Sequence, residues 1–464
     1  MDPRLPVYHF KSPAGWMGDV NGPIYHEGYY HIFYQYNPTG AAIGWGHARS
    51  ADLVHWVHLP MAVQPLLDAG EAHCYSGATA IRADGTPMLF YTSKPSLQQC
   101  AAVGDADLIE WQRHPDNPLL PATLHSAQVK IGSWRDPFVF SHRGQTYIIV
   151  GGWEGERNAP GHSRGIVSLY RAENPELTRW TYLGPLFHHP DSADNACPNF
   201  FRLEDKWVLL MSRHNPHVCD YLVGTWDEET LRFEPEYADT LGFTEAVYAT
   251  QGLYDAAGRL VIWNSLHSHR STGKLADWPG CLTLPRLVSL RPDKALGFAP
   301  HPALEELRDR HDRVEEIRLE DSERVLAMRG DALELHAVFE PATARAFGLR
   351  VRRSDDGTRA VEIRYDGELQ IDGTAGVFEP ASQTRRPFRL APDEKRLELR
   401  VFLDKAAVEV FVNGRACFEK LIHPNEQPAP GLGVPAVDDL GVEVFAESGS
   451  ATVVCVDSWE MRAI

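Results

Sequence analysis

The chain has 464 residues, of which 43% are hydrophobic, 23% charged and 10% aromatic; this excludes a disordered or fibrous polypeptide and is too long for one ordinary core. Lys and Arg number 45 against 63 Asp and Glu, and the net charge of −18 opposes a phosphate-backbone partner held by counterion release, so no nucleic acid partner is expected. No apolar run reaches the length of about 18 residues needed to span a bilayer, so no membrane partner is expected either.

Residues 1–11 contain no basic segment followed by an apolar run, and the seven cysteines are scattered without a CxxC pair. A cytoplasmic chain with reduced thiols is the expectation, with secretion of a trimmed form left open. From about residue 5 to 300 the sequence is a succession of short runs rich in Val, Ile, Tyr, Phe and Trp, bounded by Gly, Pro, Asp and Asn. Residues 29–36, 87–92, 146–151, 165–170, 207–211 and 260–265 read as strands, and no long helical periodicity interrupts them. So many short strands exceed one simple sandwich, which makes a β-propeller the economical architecture.

Residues 302–320 are charged and of helical propensity, and are expected to form a linker. Beyond them, residues 333–339, 360–365, 396–403 and 408–412 alternate apolar and polar side chains in the manner of half-buried strands. Asn413-Gly414 reads as the turn of a hairpin onto residues 417–420. The expected organisation is an all-β chain: a propeller over 1–301, a linker over 302–320 and a β-sandwich over 321–464.

Three segments offer chemistry. Gly15-Trp16-Met17-Gly18-Asp19-Val20-Asn21-Gly22 sets a carboxylate among glycines that let backbone approach a ligand, although an Asp in such a turn is by itself a turn former. Trp134-Arg135-Asp136-Pro137 places an Asp beside a guanidinium that favours its ionised form, an arrangement that also serves as a local loop ion pair. Asn195-Ala196-Cys197-Pro198-Asn199-Phe200-Phe201 reads as a turn entering an aromatic strand. His47, in a Trp-Gly-His triplet, has no companion ligands in step with it and is expected to be a buried structural histidine.

Taken together and in order, these segments resemble the three signatures of glycoside hydrolase family 32, the invertase and fructan-hydrolase family, whose usual forms are WMNDPNG, RDP and EC. The stretches 33–38, 45–48, 52–56, 75–77, 248–251, 280–286 and 408–413 extend the likeness along nearly the whole chain. The resemblance implies a five-bladed β-propeller carrying the active site, followed by a β-sandwich. It also implies hydrolysis or transfer of β-linked fructosyl units, as in sucrose, inulin or levan, by a retaining double displacement. The partner is then a small-molecule fructoside, with no cofactor and no metal, and a homo-oligomer stays open.

By the same resemblance Asp19 is the nucleophile that forms a covalent fructosyl-enzyme, and Asp136 stabilises the oxocarbenium-like transition state with Arg135 holding local charge. Gln35, Trp45, Tyr75 and Ser76 match positions lining the fructosyl pocket. Tyr248 and Trp263 stand either as pocket walls or as packing within blades.

The sequence departs from the pattern where it matters most. Ala196 occupies the place of the family's acid/base Glu, and a methyl group cannot donate a proton. Three readings compete: an engineered knockout of a Glu-containing parent, a proton supplied by Asp191, Asp194 or Glu245, and a catalytically silent relative that still binds fructosides. Gly18 and Val20 replace the usual Asn and Pro, which points to altered sugar contacts. A related-clan arabinanase-type propeller is the remaining alternative.

Overall fold

A computed structural model describes residues 5–125, 130–155, 163–214, 217–241, 247–266, 279–373, 388–422 and 439–464. Among the described residues, those up to 300 form five antiparallel sheets, four of four strands and one of five, in strict chain order. Their spans are 16–63, 73–113, 131–188, 195–240 and 247–300. The leading strands, Trp16–His26, His73–Ile81, Ile131–His142, Asn195–Leu203 and Val247–Tyr254, each pack against the next, and the fifth packs against the first. That closed ring of leading strands makes the array a five-bladed propeller, as expected.

The local chemistry explains the blades. Glu27-Gly28 and Arg143-Gly144 connect the first and second strands of the first and third blades, with φ of 44° and 87° and of 49° and 78°. Two consecutive left-handed residues match the twist of paired strands, and glycine at the second place keeps the strain low. The aromatic residues mostly hold blades together. Phe200 stacks on Trp207 with ring centroids 4.6 Å apart, and Phe140, Trp226 and Phe233 crowd the same seam between the third and fourth blades.

The C-terminal region is a nine-stranded sheet folded over one core. Two long strands, Arg308–Arg329 and Gly441–Met461, pair along their length and carry the fold. The first half of Gly441–Met461 pairs with Ala346–Arg353, and its second half with Ala332–Pro341. Left-handed residues Asp321 and Ser448 turn both strands near their middles. The two layers so formed enclose Leu335, Phe339, Leu349, Val401, Val410 and Val453, which is the β-sandwich. The hairpin at Asn413-Gly414, with φ of 49° and 62°, joins Ala407–Val412 to Ala416–Leu421.

The reading of residues 302–320 as a linker of helical propensity is corrected, because from residue 308 on the chain pairs within the sandwich sheet. Only a 3-10 turn, Pro302–Leu307, precedes the strand that begins at Arg308. Among the described residues this strand has a single neighbour, and it lies largely exposed, so its apolar alternation is diluted to Ile317, Leu319, Leu326 and Met328. Charged side chains on such an edge discourage pairing with other chains, and the same charges imitate a helix in the sequence.

A fully buried ionic cluster ties propeller to sandwich. Arg286 reaches Glu409 at 2.7 Å and Glu419 at 2.5 Å, while His9 reaches Asp404 at 2.8 Å and Glu409 at 3.1 Å. Arg286→Met strips two interior carboxylates of their guanidinium and is expected to cost about 3–5 kcal/mol, read from the urea unfolding midpoint. An unchanged midpoint contradicts this role.

The cluster also fixes a pH dependence. Burial alone lowers the His9 imidazole, but the contacts with Asp404 and Glu409 outweigh it and raise the value from 6.5 to about 9. Because the folded value lies above the unfolded one, this stabilisation is complete below about pH 6.5 and lost as pH rises through about 9. Burial raises Glu419 from 4.5 to about 7, which adds a loss of the same sign over a lower window. The thermal midpoint is therefore expected to fall between about pH 6.5 and 9, and His9→Gln to flatten that slope. Equal slopes for the two proteins refute the assignment.

Candidate active site

The leading strands all leave their ladders at one level. Between Met17 and Val20, Cys74 and Gly77, Arg135 and Phe138, Ala196 and Asn199, and Tyr248 and Gln251, three steps of the leading strand match two on its partner. Such a bulge bends the strand and re-aims its side chains. Repeated five times around the ring, it brings Asp19, Ser76, Asp136 and Cys197 to one end of the central funnel. Asp136 and Cys197 sit in the bulges with φ of 63° and 47°, a region uncommon for residues with a Cβ and concentrated at functional sites.

Asp19 is held firmly. Its Oδ2 accepts from Ser76 Oγ at 2.7 Å and from Gln35 Nε2 at 2.9 Å, and Gln35 Nε2 also donates to Ser76 Oγ at 2.9 Å. Behind this triad, Ser265 Oγ donates to the Gly18 carbonyl at 2.9 Å and the Gly22 N–H donates to Gln251 Oε1 at 2.8 Å, which anchors the glycine-flanked turn to the fifth blade. Gly18 leaves no room for a larger residue. A Cβ there would stand 2.4 Å from the Trp16 ring and 3.1 Å from Gln35 Oε1, so the indole occupies the space an Asn would need.

Asp136 is almost fully buried. Its N–H donates to Thr92 Oγ1 at 2.8 Å, and its Oδ2 accepts from the Cys197 N–H at 3.0 Å and the Cys197 thiol at 3.5 Å. The same thiol lies 4.0 Å from Asp19 Oδ2. One sulfur atom thus touches both carboxylates, which places them on the same side of the funnel and within a sugar's width. Burial pushes the Asp136 carboxyl above its ordinary value, and the Arg135 guanidinium and the Cys197 N–H oppose that rise. Burial, reinforced by Asp136 and Asp19, pushes the Cys197 thiol well up, so the sulfur keeps its proton and donates.

Arg135 bridges two acids. Its Nε is 3.5 Å from Asp136 Oδ2, and its Nη1 lies 3.0 and 3.3 Å from the two oxygens of Asp194. Burial acts to lower the guanidinium, but the two carboxylates prevail and hold its charge. Arg135, Ala196 and Tyr248 stand at the same step before the bulge in three successive blades. Ala196 therefore lies between a guanidinium and a phenol, packed with Cys197, Tyr248 and Ala249. Burial, then Cys197, pushes the Tyr248 phenol well above its usual range, so it stays protonated.

The remaining residues divide between pocket and scaffold. Gln35 and Ser76 meet Asp19 directly. Trp45 is fully buried and donates from Nε1 to the Tyr75 carbonyl at 2.9 Å, so it props the second-blade bulge rather than lining the funnel. Tyr75 is half-buried and stacks on His73 with centroids 6.0 Å apart. Trp263 packs with Met17, Val20, Leu253 and Leu282 and belongs to the core. His47, bonded to His31 at 3.0 Å and stacked on Phe33, is structural.

Of the carboxyls weighed as substitutes near Ala196, Asp194 reaches the site through Arg135, Asp191 is exposed, and Glu245 lies outside the described residues. Sequence reading missed the bridging role of Cys197 and the support from Thr92. Cys197 carried a signal, since it follows Ala196 within a recognised motif; Thr92, from a neighbouring blade, carried none.

The chain is similar to known proteins over nearly its whole length. The profile of the glycosyl hydrolases family 32 N-terminal domain matches residues 9–300, and that of the family 32 C terminal matches residues 303–460. Raffinose invertase of Escherichia coli is 29% identical over 492 residues, covering 98% of this chain and 94% of that protein. Levanase of Bacillus subtilis (strain 168) is 27% identical over 497 residues, covering 97% of this chain and 69% of the enzyme. The crystal structure of fructan 1-exohydrolase IIa from Cichorium intybus in complex with 1-kestose superposes with a TM-score of 0.82 at 23% identity, covering 100% of this chain and 98% of that one.

Proposed function

The chain belongs to glycosyl hydrolase family 32, and from that premise we propose that it acts on β-fructosides through a covalent fructosyl-enzyme on Asp19. The observation that carries this reading is the convergence of Asp19 and Asp136 on the Cys197 thiol inside the funnel. Asp19, held by Gln35 and Ser76, attacks the anomeric carbon of a furanose. Asp136, buried beside Arg135, stabilises the positive charge that develops on the ring. Relatives named as raffinose invertase and levanase, and a structural neighbour holding 1-kestose, support a fructoside as the small-molecule partner.

Ala196 leaves the leaving-group oxygen without the usual proton donor, so turnover of sucrose by this chain is slow or nil. The same methyl favours a second reading, a fructan-binding protein without turnover, and the two differ in whether product forms. Incubating the chain and its Ala196→Glu variant with sucrose, inulin and levan, and identifying the sugars released, decides between them. Free fructose from the variant supports the fructosidase framework. No product from either protein removes it.

A further inference from the structure

Asp194 precedes Ala196 by two residues and stands directly before the leading strand of the fourth blade, Asn195–Leu203. Asn195, between them, packs against Gly165, where a Cβ would stand 2.7 Å from its Oδ1. Asp194 is not a loose surface acid. Both its oxygens lie within 3.3 Å of Arg135 Nη1, its N–H donates to Ser192 Oγ at 3.3 Å, and its side chain is 19% exposed. One guanidinium thereby holds Asp194 beside Asp136, and Asp136 lies a thiol's width from Asp19. Arg135 thus sets the Asp194 carboxylate one guanidinium away from Asp136.

A carboxylate set beside the nucleophile can accept the proton of a water or sugar hydroxyl as that group attacks. Resting on the fructosidase reading above, we infer that Asp194 is a general base for the second half-reaction, and that the chain favours fructosyl donors whose leaving group departs without a proton. In the first step an Asp19 oxygen bonds to the anomeric carbon while the bond to the leaving oxygen breaks, and that oxygen leaves as an anion with the bonding pair. In the second step a water or sugar hydroxyl oxygen bonds to the same carbon and its proton passes to Asp194. The ester bond breaks and returns its electron pair to Asp19, and Asp194 then releases the proton to solvent.

The probe is 4-nitrophenyl β-D-fructofuranoside, whose nitrophenolate leaves without protonation. The parent chain is expected to turn it over in preference to sucrose. Asp194→Asn keeps the pre-steady-state burst of nitrophenolate, loses steady-state turnover by about 10²-fold or more, and accumulates a fructosyl ester on Asp19 detectable by mass spectrometry. Azide, a nucleophile that needs no base, restores turnover of the variant and yields fructosyl azide. A role limited to orienting Arg135 slows the burst as well, and that outcome overturns the inference, as does an Asp194→Asn variant with parental turnover. If the parent releases no nitrophenolate and Asp19 stays unlabelled, the fructosidase reading falls and this inference with it.

Discussion

Ala196→Glu is expected to raise kcat for sucrose by about 10²–10⁴-fold, the range that a positioned general acid contributes to breaking a bond to a poor leaving group. The gain is confined to substrates that need the proton. Sucrose and inulin carry basic alkoxide leaving groups and respond fully, whereas 4-nitrophenyl β-D-fructofuranoside responds weakly in its first step. The local structure sets a condition on the result: Ala196 is buried among Cys197, Tyr248 and Ala249, so the longer side chain must rise along the funnel wall between Arg135 and Tyr248. A folded variant, judged by an unchanged thermal midpoint, that releases no fructose from sucrose contradicts the assignment of position 196.

Asp19→Asn is expected to abolish formation of the fructosyl ester and to lower nitrophenolate release by at least about 10⁴-fold, the order that loss of a nucleophile reaches. The substitution is nearly isosteric, so Gln35 and Ser76 keep a side-chain oxygen to which they can donate. Binding is therefore expected to survive, and calorimetry with 1-kestose should report it while turnover is absent. Combining Asp19→Asn with Ala196→Glu is expected to give no recovery, because the proton donor assists departure of the leaving group only when a nucleophile can take its place. Recovery of sucrose hydrolysis in the double variant places the nucleophile elsewhere.

Two departures from the family pattern shape the pocket in different ways. At position 18 the loss of a side chain is filled by Trp16, which closes over the backbone beside Gln35. At position 196 the loss is flanked by charge and hydroxyl, with Arg135 and Asp194 on one side and Tyr248 on the other. Under the proposed function, the first change is expected to alter which sugar contacts are made and the second which step is slow.

Much of this was legible in the residues. Runs of β-branched and aromatic side chains between Gly, Pro, Asp and Asn identify strands because each run fits one pleated element and each break fits one turn, and the count of runs over the first 300 residues selects a propeller. The position of Asp19 among glycines and of Asp136 beside Arg135 marks both as chemical candidates, since local backbone freedom and a neighbouring charge act over one or two residues. The charged stretch after residue 302 misled for the opposite reason: an exposed edge strand has one partner and little core to face, so its sequence loses the alternation by which strands are recognised.

What the sequence by itself determined is most of the strands and their chain order, which depend on propensity and spacing, while the roles of Asp19 and Asp136 followed from the resemblance of their motifs to those of family 32. Tertiary structure alone decided which of them meet. The five bulges lie at one height only once the ring closes, and that closure sets the Cys197 sulfur between Asp19 and Asp136 although residues 19 and 197 are far apart in the chain. It likewise buried Trp45, which the resemblance matched to a pocket position, and Trp263, which the sequence left between wall and packing, and it joined Arg135 to Asp194 across two blades. Contacts of that kind arise from the packing of whole sheets, and no local pattern of residues encodes the angle at which one blade meets the next.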